Sequence, residues 1–183
     1  MSEIISNWRN ICQEKWESTW VPSKQLLQNT ICADFGMWKG ILNAKAKKEF
    51  NCKTIIGIES DPIHFEDCIK FNPGIILYKS IDQMKEHIKV DVIFMHGILC
   101  MLGDKWSADC KKLCEKIDAD VIHVRHREFE KNTPCQGTGR ETNTQNLINF
   151  NKSPSRKTVI DFFTQINFNL EKHFGEILIF RKQ

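Results

Sequence analysis

The sequence contains no apolar run approaching the roughly 20 residues a helix needs to span a bilayer. Its first residues, MSEIISNWRNICQEKW, carry charges throughout and lack the apolar core of a secretory leader. These absences predict a cytoplasmic protein with no membrane partner. None of the eight cysteines is paired as Cys-x-x-Cys. That excludes the usual zinc spacing and predicts reduced thiols and no metal. The net charge of +3 is too small to mark a nucleic-acid binder by itself. Neither Gly-x-Gly-x-x-Gly nor Gly-x-x-x-x-Gly-Lys-Ser/Thr occurs, which argues against a dinucleotide fingerprint and against P-loop chemistry.

What is present suits one folded domain. The 183 residues are 41% hydrophobic and 27% charged, enough to bury a substantial core. Ile4, Ile5, Trp8, Ile11, Cys12 and Trp16 recur at helical spacing, and Val21-Pro22-Ser23 breaks the pattern with Ser23 as a plausible N-cap. The spacing predicts an N-terminal helical extension over 1–28 that packs on the domain or forms a lid. The main domain is then 29–183.

From Thr30 onward, short β-branched runs alternate with helical ones. Residues 30–35, 54–59, 74–78, 91–95 and 120–124 read as strands. Residues 39–50, 62–70, 81–88 and 107–117 read as helices, with Pro62 in a first turn. Cys110 and Cys114 fall on the buried face of the last of these, as small hydrophobes. The segment 125–154 is polar and aperiodic, 155–166 is helical again, and a hairpin turns at Gly175. The expected fold class is α/β. It is an open, mostly parallel sheet with helices on both faces, ending in an antiparallel β-hairpin, with N-terminal helices added.

In such sheets ligands sit beyond the carboxyl ends of the strands, near the reversal of strand order. The first strand ends in Ala33-Asp34-Phe35-Gly36-Met37-Trp38-Lys39-Gly40. Its glycines permit close approach, and the helix that follows presents unpaired N–H groups. The second strand ends in Gly57-Ile58-Glu59-Ser60-Asp61-Pro62, where a carboxylate can accept both hydroxyls of a ribose.

ADFGMWKG, GIESDP, DVIFMHGILCML and the terminal EKHFGEILIFRK together resemble the class I S-adenosylmethionine-dependent methyltransferases, from about Asn29 to the C-terminus. The resemblance implies a Rossmann-like methyltransferase fold and S-adenosyl-L-methionine as cofactor. It implies that Asp34, Gly36 and Gly40 frame the methionine portion and that Glu59 binds the ribose. Ser80, Ile81 and Asp82 would lie along the adenine. Met95, His96 and Gly97 would face the reactive methyl. The family's middle glycine is Trp38 here. That indole could shelter the sulfonium, fill the pocket, or pack outward onto the N-terminal helices.

Methyl transfer is a displacement at an activated carbon, so alignment dominates and a base is needed only where the acceptor must lose a proton. His96 is the first candidate base and His126 the second. Strand alternation puts His123 and Arg125 on one side, and Arg125 and Arg127 begin a basic stretch that could attract an anionic acceptor. The Asp/Asn-Pro-Pro-Tyr/Phe motif of amino-methylating relatives is replaced by Met95-His96-Gly97-Ile98, which disfavours a DNA base as acceptor. The expected partner is a small-molecule acceptor. Two alternatives stay open: an RNA methyltransferase using the basic 125–157 stretch, and a non-catalytic protein that keeps the fold. The sequence leaves the oligomeric state open.

Overall fold

The computed structural model describes residues 12–84, 87–126 and 153–183. A π-helical turn, Trp16–Trp20, leads into a single turn α1, Lys24–Leu27. The strands are β1 Ile31–Phe35, β2 Thr54–Ile58, β3 Ile76–Tyr78, β4 Ile88–His96, β5 Ile117–Arg125, β6 Phe168–Phe174 and β7 Ile177–Lys182. The helices between them are α2 Ile41–Glu49, α3 Pro62–Phe71, α4 Leu99–Leu102, α5 Trp106–Lys116 and α6 Arg156–Gln165. Among the described residues the strands form one sheet in the order β3-β2-β1-β4-β5-β7-β6. β1 to β5 pair in parallel, and β7 runs antiparallel to both β5 and β6. The expected architecture is therefore present, hairpin included. None of the described helices is long and apolar enough to cross a membrane.

The sheet is covered on both faces, which is why its central strands are nearly continuous in apolar residues. One core gathers Trp106, Cys110 and Leu113 of α5 with Val159 and Phe163 of α6. The other gathers Leu42 and Ala46 of α2, Cys68 of α3, and Trp16, Trp20 and Leu27 from the N-terminal segment. Trp16 stacks on Phe50 at 4.8 Å and Trp20 on Phe94 at 5.4 Å, so this segment is packed against the sheet face. Local chemistry fixes α3. The Asp61 carboxylate accepts from the backbone N–H of Ile63 and His64, and Pro62 fills the first position, which needs no donor.

Two departures have physical causes. The helix expected over 81–88 is a single 3-10 turn, Ile81–Gln83, before β4 begins at Ile88. Ile81 and Met84 are buried at one-turn spacing, but Ile88 and Val90 already follow the two-residue period of a strand. β4 and β5 each start three residues earlier than expected. Their first halves alternate buried and exposed residues, and only their second halves are covered on both faces.

Candidate functional site

Strand order reverses between β1 and β4, so the loops leaving their carboxyl ends diverge and open a crevice. Two clefts occupy it. The first, about 540 Å³, is lined by Lys15, Thr19 and Trp20 of the N-terminal segment, by the turn from Asp34 to Gly40, by Asn43, and by His96, Gly97 and Arg125. The second, about 590 Å³, is lined by Ile58, Glu59, Ser80, Ile81, Asp82 and Ile98 among others. Gly36 borders both. Its φ is +79°, and a Cβ there would stand 2.6 Å from Ile98 Cδ1. Bare backbone is therefore required at the seam of the two clefts.

The turn keeps a glycine-like path at a position that is not glycine. Trp38 has φ +55°, a conformation that costs an ordinary residue roughly 1–2 kcal/mol. Its backbone N–H donates to Glu59 Oε2 at 2.7 Å, and the Asp61 N–H donates to Glu59 Oε1 at 2.8 Å. One carboxylate thus ties the β1 turn to the end of β2. Burial pushes the Glu59 carboxyl above its usual range, and these two donors pull it back down. The Trp38 ring stands edge-on to His64 at 6.0 Å, and Lys15 Nζ lies over it at 5.2 Å. The indole is half-buried and lines the first cleft.

Charge in the first cleft is unbalanced in a specific way. Asp34 is 4% exposed. Its Oδ2 accepts from Asn43 Nδ2 at 2.7 Å, while its Oδ1 is buried with no partner. Burial pushes the carboxyl up to about 7, with the Asn43 bond opposing and nearby Glu59 adding to the rise. Lys15 makes no hydrogen bond or ion pair among the described residues. Burial and the neighbouring Arg125 depress its pKa. Arg125 itself is neutralised by Glu176 at 3.0 Å. The cleft therefore holds one orphaned carboxylate oxygen and one unpaired ammonium that do not pair with each other.

At the far wall, His96 caps β4. Its Nε2 lies 2.9 Å from His123 Nδ1, and His123 Nε2 lies 2.7 Å from Ser23 Oγ. The His96 ring is braced edge-on by Phe94 at 5.1 Å and Trp20 at 5.4 Å. Burial, His123, Arg125 and Lys15 hold its pKa well below the usual histidine range, so the imidazole is neutral.

No family model matches the sequence, and a comparison with curated proteins returns no match. Solved structures do match. The plantazolicin methyltransferase BpumL, solved in complex with SAH, superposes with a TM-score of 0.67 at 13% identity over 100% of this chain and 90% of that one. An O-methyltransferase family protein from Burkholderia thailandensis gives 0.71 at 9% identity over 94% of this chain, which spans only 57% of that larger protein. A ribosomal protein L11 methylase from Lactobacillus delbrueckii subsp. bulgaricus gives 0.55 at 13% identity, covering 86% and 72% of the two chains. The chain has the class I methyltransferase fold.

Within the methyltransferase fold, the residues singled out from sequence do not all reach one place. Asp34, Gly36, Trp38, Gly40, His96 and Arg125 line the first cleft, and Glu59, Ser80, Ile81 and Asp82 the second. Asp82 also pairs with Lys112 on the rim. Met95 is not in either cleft. β4 runs on to His96, so Met95 is still inside the pleat and points into the opposite core, where Cys110 Sγ donates to its sulfur at 3.8 Å. His123 is fully buried behind His96 and cannot touch a substrate. His126 is also buried and lines neither cleft. Its Nε2–H donates to the Pro154 carbonyl at 2.7 Å, which commits that nitrogen as a donor and ties the end of β5 to the approach to α6. Arg127 lies outside the described residues. Lys15, Asn43 and Ser23 escaped the sequence reading. Asn43 sits in the first turn of α2 facing Asp34, and an asparagine on an otherwise apolar helix face is the signal that could have found it. Ser23, expected as an N-cap, makes no cap bond.

Proposed function

We propose that this protein is a methyltransferase that uses S-adenosylmethionine to methylate a small-molecule acceptor. The observation that carries the proposal is the charge pair left open in the first cleft. An orphaned carboxyl oxygen at Asp34, which an ammonium would ionise, and an unpaired cation at Lys15 are complementary to the ammonium and carboxylate of an α-amino acid. That cleft meets, at Gly36, a second one with Glu59 on its wall. An amino acid joined to a nucleoside has that order of parts. The presence of SAH in BpumL, on the same fold, supports the same choice.

In this reading Asp34 and Lys15 hold the amino-acid end. Glu59 offers its remaining lone pairs to a ribose, and Ser80 and Ile81 border the base. When bound, S-adenosylmethionine supplies a methyl group already activated on a sulfonium. Trp38 shields the amino-acid end from water and holds Lys15 over its face. His96, neutral and at the wall of the first cleft, takes the proton of an acceptor O–H or N–H. The enclosed shape of the two clefts and the pairing of Arg125 with Glu176 support a small acceptor; residues 127–152 of the basic 125–157 stretch lie outside the described residues.

Titration calorimetry with S-adenosylhomocysteine tests the reading. We expect binding by the natural protein and at least a tenfold loss in Glu59→Ala and in Lys15→Met, each of which removes a charged hydrogen-bond partner worth about 1.5–3 kcal/mol. No heat at millimolar ligand would refute the proposal and leave a protein that keeps the fold without the cofactor.

A further inference from the structure

Behind His96 lies a chain of hydrogen bonds that leaves the cleft and ends in the N-terminal segment. Ser23 Oγ donates to the Thr19 carbonyl at 2.7 Å. A serine hydroxyl has one proton, so with that proton spent Ser23 can only accept from His123 Nε2, 2.7 Å away. His123 Nε2 then carries its hydrogen. His123 is neutral, because burial holds its pKa down to about 4, so its Nδ1 is an acceptor. His123 Nδ1 faces His96 Nε2 at 2.9 Å, and His96 must therefore donate from Nε2. The proton count leaves His96 Nδ1 bare. That atom has no hydrogen-bond partner among the described residues and is not among the buried polar atoms left unsatisfied.

The reverse arrangement, with every proton moved one bond along, costs the Thr19 carbonyl its donor inside a buried turn. Ser23 and Thr19 are 2% and 1% exposed, so water does not replace it. The direction of the whole chain is thus set at its far end, one hundred residues away in sequence from His123.

We propose that Ser23 is a positioning residue that fixes the tautomer of His96 through His123, so that a bare Nδ1 is presented to the acceptor. The proposal rests on the methyl-transfer reading for the use made of that nitrogen, though not for the tautomer itself. It also gives the N-terminal segment a chemical duty besides packing. As His96 Nδ1 takes a proton from the acceptor, the ring becomes an imidazolium. Its Nε2–H remains bonded to His123, and no proton moves further, because the chain ends on a carbonyl.

Long-range proton–nitrogen NMR on 15N-labelled protein near neutral pH tests this directly, with His96→Gln and His123→Gln used only to assign the two rings. We expect both rings to carry hydrogen on Nε2 and a bare Nδ1. In Ser23→Ala, His123 loses its acceptor and both rings shift toward the Nδ1–H form. Ser23→Thr, which restores the hydroxyl, returns the natural pattern. A natural protein with hydrogen on His96 Nδ1, or a Ser23→Ala variant with unchanged tautomers, would overturn the proposal. If Ser23→Ala fails to fold, the spectrum of the natural protein still decides. A parallel titration with S-adenosylhomocysteine separates the two ideas. Absent binding with the expected tautomers removes the methyl-transfer reading alone, and binding with the opposite tautomer removes the relay alone.

Discussion

Cofactor binding is expected to expel a proton from Asp34, and the amount is set by burial. The carboxyl is almost sealed, bonded on one oxygen only, and raised from 3.8 to about 7. Because the folded value exceeds the unfolded one, the stability that the protonated Asp34 carboxyl contributes to the ligand-free protein is fully present below about pH 3.8 and is lost as pH rises through about 7. The difference corresponds to about 4 kcal/mol by the usual 1.36 kcal/mol per pH unit. An ammonium beside Oδ1 supplies the missing partner and returns the group to its ionised form. At about pH 6 some nine in ten ligand-free molecules carry the proton, and at about pH 8 about one in ten do. Binding should then release about 0.9 proton at the lower pH and about 0.1 at the higher. Calorimetry with S-adenosylhomocysteine, repeated in buffers of different ionisation enthalpy, measures this. Asp34→Asn should abolish the release at the lower pH and weaken binding by roughly 2 kcal/mol. Equal release at both pH values, or none at the lower one with full binding, would refute the assignment of Oδ1 to a cation.

Two further substitutions probe the turn. Gly36→Ala sets a Cβ 2.6 Å from Ile98 Cδ1 and 3.1 Å from Ile98 Cβ, at φ +79°. Urea denaturation should show a loss of about 2 kcal/mol, combining backbone strain with displacement of Ile98. An unchanged midpoint would mean that the seam is looser than its geometry. Trp38→Gly relieves the strain of φ +55° but frees the unfolded chain, so the two terms of about 1 kcal/mol nearly cancel. The melting temperature should move little, while affinity for S-adenosylhomocysteine falls several-fold as Lys15 loses the ring beneath it. A stability loss beyond about 3 kcal/mol, as for a core aromatic, would show that the indole is packed rather than lining a cleft.

The sheet, its two covered faces and the terminal hairpin were legible because each depends on a period of two or four residues. The glycine turn and Glu59 were legible because they lie at strand ends, where local order fixes position. What could not be read depends on which way a side chain leaves the pleat, and on contacts between distant segments. Met95 and His96 are neighbours, yet β4 continues one residue past Met95 and sends the pair to opposite faces. His123 and Arg125, expected on one side of β5, differ in reach: His123 is sealed behind His96 and Arg125 lines the first cleft. Lys15 looks like any helical surface lysine until the packing of Trp16 and Trp20 lays its turn across the mouth of the sheet.

Trp38 shows how a motif glycine can be replaced without losing the turn it served. A glycine there would need no support, because it adopts positive φ freely. A tryptophan needs the conformation imposed, and the Glu59 carboxylate imposes it by accepting the Trp38 N–H at 2.7 Å. The Trp38 carbonyl is held as well, by the Cys68 thiol of α3 at 2.7 Å. The backbone is thus clamped on both sides of the strained residue, and a charge-assisted bond of about 1.5–3 kcal/mol offsets the strain. The carboxylate that the resemblance assigns to a ribose therefore has a prior structural task. Removing it should relax the turn as well as take one of its acids from the second cleft. Glu59→Ala alone cannot separate those effects. Glu59→Ala combined with Trp38→Gly can, because the glycine holds the turn without the clamp. Stability should be largely restored in the double variant while ligand affinity stays low. Affinity restored along with stability would mean that Glu59 serves only the turn.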